Sequence, residues 1–119
     1  MNKWIKNVAQ EAVFRMDQQV EYLPGQIVSK TLAQNNTVNL TIFAFDKGEE
    51  ISSHQSDGDA LVTILDGTGE ITIDGKKYIL RGSESILMPA RKSHAVYAVE
   101  RFKMLLTVVF LGRTRDTSI

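Results

Sequence analysis

From Gln26 onward the apolar residues of this chain fall in short runs rich in Val, Ile, Thr, Phe and Tyr, each closed by Gly, Asp, Asn or Pro. Such runs mark β-strands, because β-branched and aromatic side chains fit a pleated, half-buried surface. The pattern predicts strands over 27–33, 38–45, 60–65, 70–73, 77–80, 86–88, 95–99 and 103–110. Asp74-Gly75 separates two alternating phrases, Ile71-Thr72-Ile73 and Tyr78-Ile79-Leu80, and its glycine readily takes the positive φ of a tight hairpin. Asp66-Gly67 and Asn35-Asn36 are weaker punctuation of the same kind. Eight short strands without a long helical period predict an all-β protein, an antiparallel sandwich or a closed barrel. The first 25 residues differ: Val8, Ala12 and Val13 among polar neighbours predict one helical turn or an irregular arm. The chain therefore divides into an arm (1–25), a barrel (26–112) and a short tail (113–119), with no internal repeat.

Two of the predicted strands, 60–65 and 104–110, are apolar at nearly every position. A strand with one face in water alternates instead, so both faces of these two must be covered. One face meets the barrel interior, and the other needs either the first 25 residues or a second subunit. A homodimer is the expectation.

Composition narrows the field of functions. The 119 residues make one domain, and 14 basic against 14 acidic residues leave a formal net charge of zero with no basic stripe, which argues against nucleic acid as a partner. The absence of cysteine removes disulfides, thiolate nucleophiles and Cys-ligated metal sites. Charged residues interrupt every window of the first twenty residues and the longest apolar stretch is far too short to span a bilayer, so a soluble, cytoplasmic protein with no membrane partner is expected. No phosphate-cradling glycine loop, nucleophile elbow or paired catalytic carboxylates are present.

The two histidines, His54 and His94, stand in polar, turn-like settings at the edges of apolar runs. Around the first the chain reads Gly48, five residues, His54-Gln55-Ser56, three residues, Ala60, six residues, Gly67; around the second it reads Ile86-Leu87-Met88-Pro89-Ala90-Arg91-Lys92-Ser93-His94. With the phrase Leu65-Asp66-Gly67-Thr68-Gly69-Glu70, these stretches resemble the paired motifs of the cupin superfamily across about residues 38 to 110. The resemblance implies a small jelly-roll barrel, the double-stranded β-helix, carrying a metal at its mouth. His54 falls on the family's first ligand position and His94 on its third, while the other histidine and the glutamate positions hold Ser56 and Ala60. In the second motif Pro89 matches, the family's glycine positions fall on Ser83 and Arg91, and its asparagine position falls on Ala98.

Half of the family's ligand set is thus replaced, and two imidazoles alone hold a divalent ion weakly. Asp57, Asp59 and Gln55 are the nearest residues able to add an oxygen, although strand parity sets Asp59 opposite to Ala60 unless a bulge intervenes. Their alternative role is ordinary turn chemistry. If His54, Ala60 and His94 face inward, then Val62 and Ile64 follow Ala60, and Val96 and Ala98 follow His94. The result is a mainly apolar pocket with Ser56 at its mouth, and Tyr97 packs outside it. Two functions remain open on this reading. One is a cupin binding zinc, nickel, manganese or iron through His54 and His94, with the isomerase, lyase or dioxygenase chemistry that the family implies. The other is a metal-free, non-catalytic or sensor-like cupin binding a small sugar-like or organic-acid ligand.

Overall fold

The computed structural model describes residues 4–111. The tail at 113–119 and the last barrel position, 112, lie outside the described residues. Eight strands follow one short 3-10 turn at Met16–Gln18: β1 (Ile27–Gln34), β2 (Val38–Phe45), β3 (Glu50–His54), β4 (Asp59–Ile73), β5 (Lys76–Arg81), β6 (Ser85–Met88), β7 (His94–Tyr97) and β8 (Phe102–Val109). Neighbouring strands are antiparallel and run in the order β1-β2-β8-β4-β7-β3, with β5 and β6 also paired to β4. The sheet curls on itself as a jelly-roll barrel, in agreement with the all-β expectation.

Two features differ from the pattern read along the chain. The predicted strands 60–65 and 70–73 are one strand, the 15-residue β4, which pairs with β8 and β6 along its first part and with β5 and β7 along its second. Asp66-Gly67 is a corner within this strand rather than a turn. The register against β8 shifts between Ile64 and Asp66, Gly67 sits at φ +77°, and an added Cβ there would lie 1.9 Å from the Arg101 carbonyl oxygen. Only glycine allows both that conformation and that approach. Strand β3 was missed because its single apolar residue is Ile51 and its other side chains are exposed, as suits an edge strand. The Asp74-Gly75 hairpin is as expected, with φ of +48° and +84° at the two residues between the paired Ile73 and Lys76.

Alternation along the strands builds a core inside the barrel from Phe45, Val62, Ile64, Ile71, Phe102 and Met104 with their neighbours. The Phe45 and Phe102 rings stack at 4.7 Å and fill its lower end. A second cluster lies outside, where Val20, Met16 and Val8 of the arm cover Leu32, Ile42, Ala44, Leu65 and Leu105. Tyr22 fastens the arm by donating its hydroxyl proton to the Asp66 carboxylate, with the Arg101 guanidinium 4.3 Å and the Lys103 ammonium 4.9 Å from its ring centre. Burial, then the bond to Asp66, raises the Tyr22 pKa above the ordinary tyrosine value. Among the described residues no helix is long and apolar enough to cross a membrane.

Candidate functional site

His54 ends β3 and His94 begins β7, and the two are direct partners across that ladder. Paired residues of antiparallel strands project to the same face, so forty residues of chain bring two imidazoles together. Their Nε2 atoms are 3.1 Å apart, with the rings edge to face at 77°. His54 Nδ1 lies 3.0 Å from the Ser52 carbonyl oxygen, an acceptor only, so this nitrogen carries the proton and donates it. His54 Nε2 is then a bare lone pair, and the bond between the histidines requires His94 Nε2 to donate. That leaves His94 Nδ1 as an unprotonated acceptor, and this atom is buried without a hydrogen-bond partner. His94 is 4% exposed, and desolvation, followed by the neighbouring His54, lowers its pKa, with the Lys92 backbone opposing weakly.

The pair stands at the mouth of a cavity of about 300 Å³. Gln55 and Ser56 share the rim, and the wall is formed by Phe43, Ile51, Ala60, Met88, Met104 and Leu106, with Val96 and Val108 beside them. Of the expected lining residues, Ser56, Ala60 and Val96 border this space. Val62, Ile64 and Ala98 do not: they face the interior as parity requires but lie deeper, fully buried in the packed core. The barrel is narrow enough that side chains fill its lower half, so only the upper turns of the strands border open space. The lining residues of β2, β6 and β8 escaped the sequence reading because their register was unknown; in β8 the alternation Met104, Leu106, Val108 carries the signal once the register is set.

The oxygen candidates separate in the same way. Asp59 points to the outer face, where its Oδ1 accepts the Ala90 backbone N–H at 2.8 Å, so it is corrected from a weak third ligand to a loop anchor. No bulge intervenes at Asp59, which stays in register with Val109 of β8. Asp57 lies with Asp59 in an outer depression beside Ala90 and Arg91. Gln55 and Ser56 stay at the rim, and Ser56 Oγ also accepts the Gly58 N–H at 3.2 Å. Tyr97 is outside the lumen, in a groove with Glu50 and Glu70.

The spacing of the donor set fits a metal ion once both Nε2 atoms are unprotonated, which in His94 means that the ring proton moves from Nε2 to Nδ1 on ion binding. Two nitrogens bonded to one ion at about 2.0–2.1 Å, at angles between a right angle and the tetrahedral value, are about 2.8–3.4 Å apart. The observed 3.1 Å lies in that interval. The Ser52 carbonyl orients the outer nitrogen of His54, as carbonyls commonly do behind metal-bound imidazoles. Among the described residues no group of three His, Cys, Asp or Glu converges, so the two imidazoles are what this site would offer an ion.

Comparison with known proteins decides the family. The cupin domain model matches residues 41–110, which spans most of β2, all of β3 to β8 and both histidines. The chain belongs to the cupin family. Among solved cupin-fold structures, this cupin resembles a conserved protein of unknown function from Streptococcus pyogenes, with 44% identity, a TM-score of 0.92, and coverage of 94% of this chain and 98% of that one. It resembles a cupin superfamily protein from Desulfitobacterium hafniense with 34% identity, a TM-score of 0.86, and coverage of 90% and 98%. It is also 34% identical over 62 residues to a 5-nitrosalicylic acid 1,2-dioxygenase of a Bradyrhizobium species. That match covers 52% of this chain, and the chain spans 30% of the length of that enzyme.

Proposed function

We propose that this cupin binds a small, partly apolar organic acid in its barrel mouth, with a divalent transition-metal ion held between His54 and His94 as the shared anchor. The observation that supports this reading is the pair of Nε2 atoms 3.1 Å apart at the entrance of an apolar cavity. When bound, zinc, nickel, manganese or iron would supply a Lewis-acidic point for a carboxylate or hydroxyl of the ligand. The chain's own residues do the rest. Ser52 holds the His54 ring so that Nε2 faces the cavity, Gln55 and Ser56 offer hydrogen bonds at the rim, and the wall of Phe43, Met88, Met104 and Leu106 takes the apolar part. A cavity of about 300 Å³ is at the small end of ligand sites, which favours a compact acid or sugar-like molecule over a large cofactor. The dioxygenase relative is consistent with a metal at this position but covers too little of that enzyme to transfer its reaction.

A second reading is favoured by the absence of a third converging ligand among the described residues. In it the barrel is metal-free, and the imidazole pair holds the acid by hydrogen bonds alone. Plasma mass spectrometry of untagged protein beside the His54→Ala/His94→Ala double variant separates the two. Metal in near-equimolar amount that the double variant loses supports the metal-anchored site. Protein that stays metal-free after incubation with each ion, yet shows a thermal shift with small carboxylic acids that the variant lacks, supports the second. Equal metal and ligand binding by wild type and variant refutes both.

A further inference from the structure

The two histidines meet across a ladder that is irregular just before them. Ile51 pairs with Val96 and His54 with His94, so three steps along β3 answer two along β7. Strict alternation would turn Ile51 and His54 to opposite faces, yet both border the barrel cavity. Ser52 and Ser53 together oppose Ala95, which makes a β-bulge, and its effect is to re-aim His54 into the lumen. Both serines border the groove on the outer face, beside Ala95 and Tyr97. A bulge disrupts its ladder locally, and this one lies in the edge strand β3, so its shape depends on what grips it from outside. The Ser53 and Ser93 hydroxyls bond each other across the strands. The Ser93 N–H donates to Asp74 Oδ1 at 3.0 Å, and the Ser93 carbonyl accepts the Asp74 N–H at 2.8 Å. Asp74 is itself fixed at φ +48° in the hairpin between β4 and β5. The carbonyl of Ser52, inside the bulge, is the group that receives the His54 Nδ1 proton.

We propose that Ser53 is a positioning residue for the imidazole pair, acting through the bulge, with Ser93 and Asp74 as its anchor. The contacts form a continuous line from the hairpin to the site: Asp74, the Ser93 backbone, the two hydroxyls, the Ser52 carbonyl and the His54 ring. His54 directly follows Ser53 and His94 directly follows Ser93, so one hydroxyl bond fixes the chain immediately before both imidazoles. An exposed hydroxyl pair adds little to stability, since water replaces either partner. What water does not replace is the tie between the two strands. Thr63 and Ser85 form a comparable hydroxyl bond at 2.8 Å between β4 and β6, outside the cavity lining, and supply an internal control. The inference rests on the imidazole pair as the working site, as in the reading above, and not on the ion.

Long-range proton–nitrogen correlation spectra of the full chain with labelled histidine, in chelator at pH 8, read the tautomer of each ring. Wild type is expected to carry its proton on Nδ1 in His54 and on Nε2 in His94, with Overhauser contacts between the rings. Ser53→Ala is expected to raise the share of the other His54 tautomer about 2- to 12-fold, the worth of one hydrogen bond, and to weaken the ring contacts. Its melting temperature is expected to stay within about 3 °C of wild type. Ser53→Thr keeps a hydroxyl and restores the wild-type spectrum. Asp74→Gly, which tolerates the positive φ, acts as Ser53→Ala does, while Asp74→Asn keeps the acceptor and does not. Thr63→Ala changes nothing at the rings. Unchanged tautomers in both Ser53→Ala and Asp74→Gly overturn the proposal, as does a wild type whose His54 already mixes both forms. An equal change in Ser53→Thr overturns it too, since the hydroxyl would then not be the cause. Because every spectrum is ion-free, a protein that binds no metal overturns the metal-anchored reading alone.

Discussion

Replacing His94 with leucine is expected to stabilise the metal-free fold while removing the proposed metal site. His94 is 4% exposed and its Nδ1 has no partner, and an unsatisfied buried polar group costs about 1–3 kcal/mol. Leucine of similar bulk removes that cost. It also removes the bond to His54, which contributes about 0.5–1.5 kcal/mol, but His54 is exposed and water replaces its partner. The difference favours His94→Leu by about 1 kcal/mol, or about 3–5 °C in Tm for a domain of this size. The sign of the pH dependence sharpens the test. The fold lowers the His94 pKa, so it holds the neutral imidazole, and the unfolded chain takes up the proton first as pH falls. The wild type therefore keeps full stability above the unfolded histidine pKa of about 6.5 and loses it progressively below, toward the lower folded value. His94→Leu lacks that loss. Urea unfolding at pH 8 and pH 5, in chelator and with equal m-values, measures both effects. A variant less stable than wild type by more than about 1 kcal/mol at pH 8, or one with an identical pH dependence, refutes the reasoning.

Other outcomes follow from the same geometry. His54→Ala is expected to abolish the proposed metal binding, read by titration calorimetry, and to cost about 1 kcal/mol in urea unfolding, because it leaves the buried His94 Nε2–H without its acceptor. Ala60→Glu adds a carboxylate to the cavity that the two histidines border, and is expected to tighten zinc binding about tenfold, near 1.4 kcal/mol, while weakening any acid held there. Gly67→Ala forces a Cβ against the Arg101 carbonyl at a positive φ and is expected to destabilise the barrel by about 3 kcal/mol, measured by thermal unfolding. Tyr22→Phe removes the bond to Asp66 and is expected to cost about 1 kcal/mol, with faster amide exchange in the arm. Because the fold raises the Tyr22 pKa, this contribution is present below about pH 10 and fades as pH rises further, a dependence the phenylalanine variant lacks.

The sequence by itself determined the all-β barrel and the Asp74-Gly75 hairpin, and it singled out the two histidines as the candidate site. Those features are local, since strand composition, turn residues and motif spacing act over a few neighbours. It also carried the warning that 60–65 and 104–110 need cover on both faces. Other properties depended on which strands meet. The joining of 60–65 and 70–73 into β4 rests on Gly67 approaching Arg101, a contact between distant segments. The edge strand β3 has almost no apolar signal, because its side chains face water and it is held by pairing with β7. The pocket boundary, which excludes Val62, Ile64 and Ala98 and includes Phe43, Met88 and Met104, follows from register and from how far side chains fill a narrow barrel. Above all, the 3.1 Å meeting of His54 and His94 and the outward turn of Asp59 were decided by the ladder. Parity along one strand tells which face a side chain takes, but only pairing between strands sets the distance to its partner.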